Sequence, residues 1–146
     1  MKRVSGYGGL FSRAKNPSRL QKWYKKHLSM ELASSGGFVF EWMKPDGTRI
    51  GHTVWAPFER RSKYFAPSKK EFMVNYKVEN LRSLLSKLRK EGVRVVGKVE
   101  EYSYGKFGWI MDPDGTKIEL WEPNDAEFRK INKLDRRENA RGRKRR

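Results

Sequence analysis

Apolar and polar residues alternate along Val4 to Ala14 and again along Phe72 to Val78, and this period of two predicts a strand in each place. The period then changes to that of a helix. Leu20, Trp23, Tyr24 and Leu28 share one face of Pro17 to Leu28, with Asn16 placed as N-cap and Pro17 in the first helical position. Leu81, Leu84, Leu85 and Leu88 share one face of Leu81 to Glu91, and Gly92 stops that helix. Strand-like runs follow, joined by Lys44-Pro45-Asp46-Gly47-Thr48 in the first half and Asp112-Pro113-Asp114-Gly115-Thr116 in the second. Such turns are hairpin signals because Pro presets φ and Gly accepts φ > 0. Matched closing strands, Thr53-Val54-Trp55-Ala56-Pro57 and Glu119-Leu120-Trp121-Glu122-Pro123, end each half. The plan is β-α-β-β-β used twice, over about residues 4–58 and 72–123, with a linker near Glu59 to Lys70.

A unit of this kind covers one sheet face with its helix and leaves the other bare. Two of them predict an α+β domain in which two βαβββ modules form a curved mixed sheet around a central pocket. Alternation nominates the lining. Gly9, Phe11 and Arg13 share a face, as do Met73, Asn75 and Lys77, Thr53 and Trp55, and Glu119 and Trp121. The candidate ligand-binding residues are therefore Phe11, Arg13, Thr53, Trp55, Met73, Asn75 and Trp121. Glu119 is the candidate catalytic group, with a carboxylate retained by a neighbouring base as the alternative. Arg13 and Lys77 offer an anion-binding edge or solvated strand ends, and Tyr102 to Lys106 a pocket rim or a plain strand or loop.

Two segments resemble the vicinal oxygen chelate superfamily, which includes glyoxalase I, fosfomycin- and bleomycin-resistance proteins and extradiol dioxygenases. Lys15-Asn16-Pro17 leading to Trp23-Tyr24-Lys25-Lys26-His27-Leu28 is similar to the family's D-P…F-Y…L-G helix. Met111-Asp112-Pro113-Asp114-Gly115-Thr116-Lys117-Ile118-Glu119-Leu120-Trp121-Glu122 is similar to its D-P-D-G…I-E-L ending. The resemblance implies a cup, often dimeric, around a divalent metal that chelates vicinal oxygens of a small substrate. It also places metal ligands about seven residues before each helix cap, at Gly9 and Met73, and on the closing strands, at Thr53 and Glu119. Of these only Glu119 carries a suitable donor, since Gly has no side chain and a thioether is a soft ligand. His52 could join Glu119 only if a bulge turned it inward.

Composition narrows the reading further. The 146 residues contain no Cys and two His, which excludes disulfides, thiol catalysis and zinc fingers. No apolar run approaches the roughly 20 residues of a membrane span, and Met1-Lys2-Arg3 precedes no apolar signal core, so no membrane association and a cytoplasmic address are the expectations. Of the net charge of +17, residues 125–146 carry ten Lys or Arg against four Asp or Glu. The expected domain is 1–124, followed by a basic tail with a helical stretch over Ala126 to Leu134 and a disordered end at Arg141 to Arg146. The leading function is small-molecule binding of the glyoxalase and bleomycin-resistance type, with no cofactor expected and a homodimer as the candidate assembly. One alternative is a divalent-metal lyase or dioxygenase using Glu119 and His52. Another is a nucleic-acid-associated protein whose residues 136–146 hold phosphates without sequence preference.

Overall fold

The computed structural model describes residues 3–134. Its elements run β1 (Val4–Ala14), α1 (Pro17–Leu28), β2 (Phe38–Met43), β3 (Arg49–Glu59), β4 (Phe72–Val78), α2 (Leu81–Lys90), β5 (Val95–Tyr102), β6 (Gly105–Met111), β7 (Lys117–Pro123) and α3 (Asp125–Ile131). The seven strands form one mixed sheet in the order β2-β3-β1-β4-β7-β6-β5. Each first strand runs parallel to its module's closing strand, β1 with β3 and β4 with β7, and the modules meet through antiparallel β1 and β4. Leu10 opposes Val74 at that junction, and each lies six residues before its helix cap, so the repeat in sequence is a pseudo-twofold in space.

Local chemistry explains both helices and both hairpins. The Asn16 side chain accepts from the Arg19 amide at 3.0 Å and Asn80 from Ser83 at 3.2 Å, satisfying amides that the first helical turns leave open. In the turns, the Lys44 amide donates to the Thr48 carbonyl and Asp112 to Thr116, while Gly47 and Gly115 take φ of 85° and 81°. Leu81, Leu84 and Leu85 pack with Val78 and Leu120 in the main core between α2 and the sheet.

The first module departs from the plan at one strand. Where β5 borders the sheet in the second module, residues 29–37 make a single bridge, Leu32 to Phe38. The second-module segment holds Val93, Val95, Val96 and Val99, whereas the first reads Ser29-Met30-Glu31-Leu32-Ala33-Ser34-Ser35-Gly36-Gly37. Ser and Gly have little preference for a pleated surface. With less sheet beneath it, α1 buries none of its residues fully, and Trp23 and Leu28 stand exposed.

Two segments beyond the repeat pack onto it. Between the modules, Phe65 is fully buried with Met73 and Trp109, so the linker is a structural insert. The helix expected in the tail is α3, and the packing continues past Asn124, where the sequence suggests a boundary. Phe128 and Leu134 bury against Trp121. No helix among the described residues is long and apolar enough to cross a membrane. The expectations for residues 136–146 lie outside the described residues.

Candidate functional site

The concave face encloses a cavity of about 510 Å³. Phe11, Asn75, Glu119 and Trp121 line it, as does Glu100 with the rim tyrosines Tyr102 and Tyr104. On β3 the lining residues are Val54, Ala56 and Phe58, not Thr53 and Trp55. The register explains the correction. Phe11 opposes Ala56, and its counterpart Asn75 opposes Glu119, so Ala56 occupies the place of Glu119 in the first module. Matching Thr53 to Glu119 misplaces the strand by three residues, and any odd shift exchanges the two faces. A register shift between Trp42 and Met43 adds a residue to β3 that spacing alone does not reveal. Trp55 consequently packs beneath α1, 4.7 Å from the Tyr24 ring and 5.3 Å from Phe38, and Thr53 donates to the Tyr7 carbonyl.

Two further candidates also lie outside the cavity wall. The Arg13 guanidinium donates to the carbonyls of Arg60 and Ser62 and lies over the Phe65 ring, which ties the insert to β1. Met73 is buried in the layer beneath. The anion edge does not form, because Lys77 is enclosed between the rings of Trp42 and Trp121 with its Nζ 3.9 Å from Asp125.

Glu119, only 2% exposed, is the chemical centre of the cavity floor. Asn75 Nδ2 donates to its Oε1 at 2.7 Å and Trp109 Nε1 to its Oε2 at 2.9 Å, and the Tyr64 hydroxyl also donates to Oε2. Burial pushes the carboxyl above its ordinary range, while these three donors and the Lys117 charge oppose that rise. Burial and the adjacent carboxylate also raise the Tyr64 phenol, keeping it a donor. Tyr64 comes from the insert, where it stacks on Phe58 at 5.4 Å, and Trp109 comes from β6. Alternation along the opening and closing strands nominates neither. The signal available for Tyr64 is the aromatic pair in Lys63-Tyr64-Phe65, inside an otherwise basic linker.

A catalytic divalent metal ordinarily takes three protein ligands. Both Glu119 oxygens already accept from protein donors, and no group of three His, Cys, Asp or Glu side chains converges among the described residues. His52 does turn to the concave side, but three strand spacings from β7 and beneath α3. Its Nδ1 faces Asp125 Oδ1 at 3.2 Å and its Nε2 faces Arg129 at 3.0 Å, which leaves neither nitrogen for a metal. Arg129 also pairs with Glu41 at 2.6 Å. The expected ligand position at Gly9 is closed by the backbone: Gly9 has φ of 139°, and a Cβ there would lie 1.7 Å from the Val54 carbonyl oxygen. A bulge turns Gly8 toward the cavity instead, where a Cβ would lie 1.8 Å from Asn75 Oδ1.

Burial lowers the His52 pKa, with the nearby Lys77 and Arg129 charges acting in the same direction and Asp125 against them. In the unfolded chain the ring takes a proton near pH 6.5, so below that pH the unfolded state binds more protons and stability falls. The expected result is a Tm that drops between pH 7 and pH 5 by more in the native chain than in His52→Gln, followed by circular dichroism. Equal slopes would remove His52 as the cause.

Comparison with solved structures places this architecture. Methylmalonyl-CoA epimerase from Mycobacterium tuberculosis aligns over 84% of this chain and 91% of its own, with TM-score 0.54 and 20% identity. A single-substitution variant of Streptomyces coelicolor methylmalonyl-CoA epimerase, in complex with 2-nitronate-propionyl-CoA, aligns over 83% and 99% with TM-score 0.60 and 13% identity. A Legionella pneumophila structure described as an NAD-dependent benzaldehyde dehydrogenase aligns over 80% and 98% with TM-score 0.52 and 12% identity. No family model matches the chain, and no curated protein matches it. The chain has the vicinal oxygen chelate fold. At these identities the likeness establishes architecture, and function must be argued from the site.

Proposed function

We propose that the protein binds a small molecule in the cavity between its two modules, and does so without a divalent metal. The observation that carries this reading is the floor carboxyl of Glu119, which lines the cavity while both its oxygens are held by Asn75, Trp109 and Tyr64. A carboxyl fixed in this way is a poor metal ligand and a well-oriented acceptor. Aromatic walls supply contact area, and the polar floor supplies orientation, the usual division in a ligand pocket. The Streptomyces epimerase variant holds 2-nitronate-propionyl-CoA, but among the described residues the lining here includes no Lys, Arg or His to meet the charge of an anionic acyl group.

The test is a thermal-shift screen of small molecules run with EDTA and with Mn²⁺, Ni²⁺, Zn²⁺ or Fe²⁺. A true ligand at a hundred times its Kd stabilises by about 2.7 kcal/mol, and that gain is expected to be the same in every arm. Glu119→Gln is expected to weaken binding about tenfold, since a hydrogen bond to a charged group contributes about 1.5–3 kcal/mol. Ligands that bind only with metal present would replace this reading with the metal-dependent one.

A further inference from the structure

The cavity and the surface of this protein have opposite electrostatic character. The chain carries 34 Lys and Arg and a net charge of +17, yet the lining holds two carboxyl groups, Glu100 and Glu119, and no basic side chain among the described residues. Lys117, beside the floor carboxyl, directs its Nζ to the Tyr64 carbonyl at 2.7 Å and is absent from the wall. A second observation points the same way. Asn75 is 1% exposed, and its Oδ1, beside Gly8 at the floor, has no hydrogen-bond partner. The orientation of that amide is fixed by Glu119: reversing it would set an oxygen against the carboxylate. That oxygen has under 1 Å² of accessible surface, so it acts on an occupant of the cavity as an uncompensated partial negative charge at the floor, not by direct contact.

The walls add shape. Two stacked aromatic pairs belong to the lining, Phe58 on Tyr64 with 1° between the ring planes and Phe107 on Trp121 with 10°, while Tyr102 and Tyr104 stack at the rim at 5°. Flat faces of this kind attract planar rings and cations placed over them. Resting on the metal-free binding reading, we propose that the natural ligand class is a planar aromatic cation bearing N–H donors, its rings against the aromatic walls and its N–H groups toward Glu119 and Glu100.

Proflavine, a planar diamino cation at neutral pH, is the probe, with 8-anilinonaphthalene-1-sulfonate as the anionic counterpart and acridone as the neutral one. Binding is followed by dye and Trp fluorescence on the full chain. Proflavine affinity is expected to fall about tenfold in Glu119→Gln and severalfold in Glu100→Gln, with circular dichroism confirming the fold, because each variant removes a charge-assisted acceptor. Glu100 is exposed at the rim, so its variant keeps the test open should the floor variant fail to fold. Salt separates cavity from surface. The distant positive charges repel proflavine and are screened over about 10 Å at 0.1 M salt, so its affinity should hold or rise with salt, whereas the anionic dye should weaken. Failure of proflavine with saturable binding of the neutral or anionic dye would overturn the cation and leave the binding pocket standing. Failure of all three would defeat both. Proflavine affinity unchanged in both variants would also overturn the proposal.

Discussion

Ending the chain at Asn124 is expected to cost the domain about 5 kcal/mol, because two buried apolar side chains at roughly 1.5–3 kcal/mol each leave the core with α3. Phe128 and Leu134 cover Trp121, and Phe128, Ile131 and Asn132 form part of the cavity wall. The same cut strands polar groups: His52 and Glu41 lose Arg129, His52 and Lys77 lose Asp125, and Ser35 loses the Asn132 side chain at 2.6 Å. A loss of that size is a large share of the roughly 5–15 kcal/mol typical of a domain. Urea unfolding of chains ending at Asn124 and at Leu134 checks it, since the longer chain keeps every contact named here. Equal midpoints for the two would show that α3 packs without stabilising.

Gly9→Ala is expected to cost about 3–5 kcal/mol, the sum of a backbone strain of about 1–3 kcal/mol and the opening of the β1–β3 pairing. The added Cβ would meet the Val54 carbonyl oxygen at 1.7 Å, and backbone cannot swing aside as a flexible side chain can. Gly47→Ala is the control, with φ of 85° and nothing within 4 Å of its Cβ, where only the strain of about 1 kcal/mol should register. Similar losses in the two variants would refute the clash. The result bears on chemistry as well as stability. A metal ligand placed at Gly9 could not be accommodated by the strand, so a His substituted there should unfold the domain before it binds a cation.

Features that depend on neighbours along the chain are legible in the residues alone. Asn16 and Asn80 cap helices because a short side chain reaches an amide three residues on. Pro-Asp-Gly turns make hairpins because two residues preset their own dihedrals. The repetition of both, in the same order, is enough for two modules and a shared cup. Features that depend on partners far apart in sequence emerge only when the sheet is assembled. One added residue in β3 exchanges Thr53 and Trp55 for Val54, Ala56 and Phe58 at the cavity, because side chains alternate and register is set by the facing strand. Tyr64 reaches Glu119 across 55 positions, and Asn75 across 44, from an insert and a first strand whose local patterns are silent about a shared acceptor. The same reason holds for α3, whose short apolar stretch is too weak to fold alone and becomes part of the domain when Trp121 and the Arg129–His52–Glu41 network hold it.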